Sequence, residues 1–92
     1  MMAAAVFEAA LTAEQASDLA LLIGQDGTSR PAGVTTVSFL YDGDRGRLVA
    51  YWKSRDELEQ YVAETELMRG RELMRKVGVE PTMSIFDVLE FG

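Results

Sequence analysis

Two strand-to-helix junctions of the same design constrain this chain more than any other feature. In the first, the apolar run 6–11 leads into Thr12, and Thr12-x-x-Gln15 forms a capping box. In the second, Arg47-Leu-Val-Ala-Tyr-Trp52 leads through Lys53 into Ser54, and Ser54-x-x-Glu57 forms another. In such a box the cap side chain accepts the N–H of the third helical residue, whose own side chain reaches back to the cap N–H. Each junction therefore predicts a strand, a sharp change of direction and a helix. Two of them in 92 residues make a βα unit repeated in structure though not in sequence.

The remaining elements fall between these anchors. Strand one is expected at residues 5–11 and helix one at 13–23, where Ala13, Ala16, Leu19, Ala20 and Ile23 define one apolar face. Gly24 stands where a left-handed C-terminal cap is needed, and residues 24–33 read as a loop broken by Asp26-Gly27, Pro31 and Gly33. β-branched and aromatic residues mark strand two at 34–41. Asp42-Gly-Asp-Arg-Gly46 reads as a hairpin turn, and strand three follows at 47–53. With a four-residue loop, Asp42 pairs with Arg47. Val37, Phe39 and Tyr41 then share a sheet face with Leu48, Ala50 and Trp52, an arrangement that a one-residue slip would scatter.

Helix two starts after Ser54, with Asp56 and Glu57 in its first turn, where the helix dipole favours them. Leu58, Tyr61, Val62, Thr65 and Met68 face one way, and Gly70 interrupts or kinks the helix. Arg75 and Lys76, then Gly78, then Pro81 form a stop signal. Strand four is expected at residues 83–91.

The order βαββαβ predicts one ferredoxin-like α+β domain spanning residues 1–92, a four-stranded antiparallel sheet with two helices on one face. Thr36, Ser38, Leu40, Val49 and Tyr51 fall on the other face. That face is too apolar to be left to water, so a second copy of the chain, forming a homodimer, is the expected partner.

Composition removes several classes of function. The net charge of −6 argues against nucleic acid, whose binders carry a clustered basic face. The one basic grouping, Arg69, Arg71, Arg75 and Lys76, alternates with Glu66 and Glu72 and reads as a solvated helix face. The chain has neither cysteine nor histidine, which removes thiol nucleophiles, thiolate and imidazole metal sites, and any triad built on histidine. Asparagine is absent as well. No metal site is expected, and chemistry would rest on carboxylates, tyrosines, arginines, hydroxyls or backbone amides. The N-terminal run is broken by Glu8 and does not read as a signal peptide. No stretch approaches the length of a membrane span. A cytoplasmic protein is expected.

Pro31-Ala-Gly33, the Asp-Gly-Asp-Arg-Gly-Arg hairpin and Tyr51-Trp-Lys-Ser-Arg-Asp-Glu-Leu58 resemble the antibiotic-biosynthesis monooxygenase-like family of dimeric α+β barrels. The resemblance is local to residues 31–62 in sequence and covers nearly the whole chain in element order. It implies two ferredoxin-like sheets packed face to face, and a pocket between sheet and helices for electron-rich aromatic or polyketide-like substrates. It also implies oxygenation with no cofactor, neither metal nor flavin. Trp52 matches the family tryptophan that lines the pocket. The histidine and asparagine of the heme-degrading branch are missing here, as is the asparagine that accompanies the tryptophan in the cofactor-independent oxygenases.

Trp52, Phe39 and Tyr41 are thus the expected substrate-binding residues. Trp52 has a second reading, an aromatic cap on the core packed against Leu58 and Val62. Tyr41 and Tyr51 are candidate catalytic phenols, able to donate to a substrate oxygen in a part-dry cleft. Glu8 and Asp87, charges within apolar strands, are candidate bases if burial raises their pKa. Arg69 and Arg71 stand where an acidic substrate would meet the pocket mouth. The Gly24-x-x-Gly27 segment neither follows a strand nor opens a helix, so no phosphate cradle is expected there. Two functions remain open: a cofactor-independent oxygenase, and a non-catalytic dimeric module for small-ligand binding or assembly.

Overall fold

The Thr12 box closes in full. Its hydroxyl accepts the N–H of Gln15 at 3.1 Å, and the Gln15 side-chain oxygen accepts the N–H of Thr12 at 2.9 Å. In the computed structural model, which describes residues 1–27 and 30–91, this junction joins β1 (Ala3–Ala10) to α1 (Ala13–Gln25). A hairpin of β2 (Val34–Tyr41) and β3 (Arg45–Trp52) follows, then α2 (Arg55–Glu64), α3 (Arg69–Lys76) and β4 (Thr82–Asp87). The four strands form one antiparallel sheet in the order β2-β3-β1-β4. This is the ferredoxin-like α+β fold expected from the sequence, with the second helix divided in two.

Alternation along the strands decides which side chains meet the helices. Ala3, Ala5, Phe7 and Ala9 of β1 join Leu48 and Trp52 of β3 in the buried core, packed against Leu19 of α1, Leu58 of α2 and Leu73 and Met74 of α3. Leu19, Leu58 and Met74, one from each helix, are the largest side chains fully removed from water. The alanines of β1 keep the centre of the sheet thin, and that lets α2 and α3 settle close to it. Gly70 serves the same end, since a Cβ there would stand 2.5 Å from the Phe7 ring. The glycine is a point of close approach, and the helix break lies before it, at residues 65–68, where Thr65 is extended.

Several expectations are corrected by the hairpin and the helix ends. Asp42 pairs with Arg45, its N–H reaching the Arg45 carbonyl at 3.2 Å, so the turn has two central residues, Gly43 and Asp44, and Gly43 takes the required positive φ of 96°. Phe39 therefore faces Leu48 and Tyr41 faces Gly46. The register moves by two residues, which preserves the assignment of faces. Gly46 lies within β3, where Leu11 and Phe39 occupy the space of a side chain. At the other end, a bulge between Val34 and Thr36 lets both Val34 and Val37 pack against the core.

α1 continues past Gly24 to Gln25 and is capped by Asp26, without a left-handed residue. A left-handed glycine ends α3 instead, Gly78 with φ 88°. Gly78 N–H bonds the Arg75 carbonyl at 3.0 Å and Val79 N–H bonds that of Met74 at 3.2 Å, the paired bonds of a Schellman ending. Gln15 reaches across from α1 to accept no part of that ending but to donate to the Val77 carbonyl at 3.1 Å. The Ser54 cap is half a box: its hydroxyl accepts the Glu57 N–H at 3.2 Å and lies 3.3 Å from the Glu57 carboxylate. β4 ends at Asp87, earlier than expected. Among the described residues, no helix is long and apolar enough to cross a membrane.

Candidate functional site

Between the helix-facing side of the sheet and α1, α2 and α3 lies a cavity of about 50 Å³. Its floor is apolar: Ala5 and Phe7 of β1, Val34 and Val37 of β2, Leu48 and Ala50 of β3. Because β1 offers an alanine at position 5, and β3 another at position 50, the floor is recessed between larger neighbours. Trp52 and Tyr61 make one wall, their ring centroids 5.1 Å apart and their planes inclined by 38°. Gly33 makes room for the tryptophan, for a Cβ there would lie 2.6 Å from the ring.

The rim is polar. Asp26, the C-terminal cap of α1, Arg69, the first residue of α3, and the exposed Arg30 all line the cavity. Asp26 Oδ1 accepts two guanidinium N–H groups of Arg69, that from Nε at 2.8 Å and a second from Nη2. Arg69 Nη1 donates to Glu72 at 2.7 Å. Pairing with Asp26 above all, and then with Glu72, raises the Arg69 pKa further above its already high ordinary value, so the group is a permanent cation. The Asp26 side chain is 5% exposed and that of Arg69 29%, which makes this the most deeply set ion pair described in the chain.

Tyr61 completes the rim. Its hydroxyl accepts the backbone N–H of Arg69 at 2.8 Å, and so caps α3, whose Met68 cap position supplies no side-chain acceptor. Having accepted that bond, the phenol still carries its own hydrogen, available to a ligand oxygen in the cavity.

The residues singled out in the sequence are distributed unevenly around this site. Trp52 lines the cavity and is 3% exposed, so the pocket reading and the core reading of this residue both describe its position. Phe39 packs against the core but beside Gly46, outside the lining. Tyr41 lies at the hairpin end of the sheet, where its hydroxyl donates to the Leu11 carbonyl at 3.0 Å. Tyr51 is on the opposite sheet face, edge-on to Phe91 with centroids 5.1 Å apart. Neither tyrosine reaches the cavity.

Glu8 also lies on the open sheet face, beside Arg47 and Tyr51. Hydrogen bonds from Arg47 and then Arg45 hold its carboxyl below the usual range. That is the reverse of what a buried base requires. Asp87 pairs with Arg55 at 2.9 Å on the surface. Arg71 turns away from the cavity to Glu80 and the Pro81 carbonyl. Arg69 alone of the two arginines is at the cavity.

Tyr61 and Asp26 escape a reading by pattern. Tyr61 sits within an apolar helical face, where its ring counts as one more core residue. Asp26 belongs to a stretch that reads as a polar turn. Only the fold reveals that α3 restarts beside them. Among the described residues no three acidic side chains gather as a metal site would require.

The chain matches no protein-family model and no curated protein. Solved structures do share its fold. An antibiotic-biosynthesis-monooxygenase-like protein of Bordetella bronchiseptica superposes with a TM-score of 0.70 at 14% identity, over 97% of this chain and 98% of that one. The monooxygenase from the gene ActVA-Orf6 of Streptomyces coelicolor, in complex with nanaomycin D, gives 0.68 at 15% identity over 98% and 88%. An asparagine-to-alanine variant of SnoaB, a cofactor-independent oxygenase from Streptomyces nogalater, gives 0.62 at 11% identity over 98% and 95%. The likeness to these proteins is one of fold, and it runs over nearly the whole chain.

Proposed function

We propose that the chain binds a small planar aromatic or polyketide-like molecule in the cavity between sheet and helices and oxygenates it without a metal or flavin. The observation that carries this reading is the meeting of an apolar floor, an aromatic wall of Trp52 and Tyr61, and a polar rim of Tyr61, Asp26 and Arg69 around one space. With the rim side chains moved outward, a flat ring would lie against the tryptophan, its oxygen met at the rim. The likeness in fold to a cofactor-independent oxygenase and to a monooxygenase with nanaomycin D bound supports the same class of substrate.

The reaction that suits such a site begins with an electron-rich phenol or enol. Loss of its proton makes the ring carbon a reductant for dioxygen. At an activated CH2 group, O2 adds to the carbon, one oxygen stays as a carbonyl, and the other leaves as water with the two hydrogens. Tyr61 and Arg69 would stabilise the ionised oxygen, and the apolar floor keeps water from the reacting carbon. The cavity is smaller than the ~150 Å³ that accommodates a benzene-sized guest, so side chains of the rim must move outward for a ligand to enter.

Oxygen uptake with an anthrone, in buffer treated with chelator and free of flavin, together with appearance of the matching anthraquinone, tests the chemistry. Consumption well above the rate without protein, lost in Tyr61→Phe or Arg69→Gln, is the expected result. No acceleration with any such substrate would remove the catalytic reading.

A second reading, ligand binding without chemistry, is favoured by one observation: among the described residues the one carboxylate at the rim, Asp26, is already engaged by Arg69, so none of them stands ready as a general base beside Trp52. In either reading the functional unit is proposed to be a homodimer. Leu40, Val49, Tyr51 and Phe86 line a concavity on the open sheet face, and Leu40 and Phe86 are more than half exposed in the single chain.

A further inference from the structure

The cavity rim contains an arrangement that narrows the kind of ligand the site accepts. Arg69 directs two N–H groups, from Nε and Nη2, at one oxygen of Asp26. A carboxylate usually meets a guanidinium with both of its oxygens, side by side. Here the fork closes on a single oxygen atom, and Asp26 and Arg69 both line an apolar cavity shared with Trp52 and Tyr61. The same spot is next to the first turn of α3, where the helix dipole favours negative charge.

Asp26 itself is poorly placed for its own helix. It caps the C-terminus of α1, the end at which a negative charge is disfavoured. Arg69 is what holds it there. Glu72 gives the same guanidinium a second acidic partner, so two carboxylates share one cation. An additional anion is repelled while both remain. Arg30 also lines the cavity, so an incoming anion either pairs with Arg30 or takes the place of a carboxylate on Arg69. Of those two carboxylates, Asp26 is the one at the cavity that also works against a helix dipole.

We propose that Asp26 is an internal stand-in for the ionised oxygen of the ligand. The site takes planar aromatic molecules bearing a phenolate or enolate oxygen, and that oxygen displaces Asp26 from Arg69 on binding. Molecules of the same shape without the ionised oxygen bind without this exchange, and Asp26 does not compete with them. The inference rests on the cavity being the ligand site, and it adds to that reading the exchange with Asp26 and the selection this residue imposes.

A matched pair of bicyclic probes tests it: 4-hydroxycoumarin, an enolate at neutral pH, and coumarin, the same ring system without the hydroxyl. Affinities for both are measured by calorimetry on the wild type, Asp26→Asn, Arg69→Gln and Arg30→Gln. Asp26→Asn keeps the shape and removes the competing charge, so the enolate should bind at least tenfold tighter while coumarin changes less than twofold. In Arg69→Gln the preference for the enolate should disappear, and in Arg30→Gln it should persist; a preference lost in Arg30→Gln and kept in Arg69→Gln would assign the anion to Arg30 and overturn the exchange.

The wild-type protein supplies a second readout that does not depend on a folded variant. In an NMR titration, the Arg69 Nε–H signal should shift saturably with the enolate and stay in place with coumarin. Unchanged enolate-to-neutral selectivity in Asp26→Asn, or an Arg69 signal indifferent to the enolate, overturns the exchange and leaves the cavity as a binding site. Absence of binding by both probes to every form overturns the cavity reading as well.

Discussion

The hydroxyl of Tyr61 accepts the backbone N–H of Arg69 at 2.8 Å, and through that bond the aromatic wall of the cavity is fastened to the start of α3. The bond supplies an acceptor where the Met68 cap position has none. Removing it in Tyr61→Phe leaves a part-buried N–H at the helix start with no protein acceptor, which should cost about 0.5–2 kcal/mol, as for loss of a side-chain cap. Denaturant midpoints compared with the wild type check this. An unchanged midpoint would mean that the first turn of α3 contributes nothing to stability.

Gly33 sets the position of the tryptophan. A methyl group at this residue would stand 2.6 and 2.7 Å from two carbons of the Trp52 ring, too close for the ring to remain where it is. Gly33→Ala should therefore destabilise the fold by ~1–3 kcal/mol and shift Trp52 emission, since the ring must turn toward the cavity or out of it. The test is a denaturation curve together with the emission spectrum.

Three carboxylates should make the fold sensitive to acid. Glu8 is held below its ordinary value of 4.5 by Arg47 and Arg45, and Glu80 likewise by Arg75 and Arg71. Asp42 is held below 3.8 by the N–H groups of Arg45 and Asp44 at the hairpin turn. In each case the unfolded chain binds the proton more readily, so stability rises with pH through this range. The contribution is present above the ordinary values and is lost as pH falls through them and then through the lower values of the folded state. Unfolding midpoints measured between pH 7 and pH 2 should fall most steeply below about pH 4.5, and Glu8→Gln should flatten part of that fall.

The open face of the sheet carries the next expectation. Leu40, Tyr51 and Phe86 project there from three different strands, and two copies packed by this face would bury at least ~2,000 Å² in an obligate interface. Light scattering of the eluting protein at micromolar concentration should give twice the chain mass. A folded monomer at that concentration would contradict the dimer.

Much of the fold was legible in the residues because it depends on local chemistry. Thr12 and Ser54 announce two helix starts, and the alternation in β2 and β3 assigns their faces. The glycines were harder to read. Gly46 looks like part of a turn but lies in a strand under Leu11 and Phe39, and Gly70 looks like a kink but marks the contact with Phe7. Both reflect long-range packing, which a local pattern does not carry. The same holds for the site. Trp52 is recognisable beside its capped helix, whereas Tyr61, Asp26 and Arg69 meet only because α3 restarts after residues 65–68 and turns its first residue toward the end of α1. Tyr41 and Tyr51 satisfied the chemistry of a phenol donor, yet the sheet carries one to its end and the other to its opposite side.

Binding in the cavity is the claim on which the rest depends, and Trp52 is the only tryptophan in the chain, so its emission reports on that space alone. Titration with planar electron-rich phenols should change the emission saturably, with one ligand per chain, and Trp52→Phe should weaken binding while leaving the fold intact. The contrary result is an emission that no member of a broad panel of such phenols alters, with no binding of any of them detected by calorimetry. Trp52 would then be a core side chain only, and the cavity would not be the ligand site.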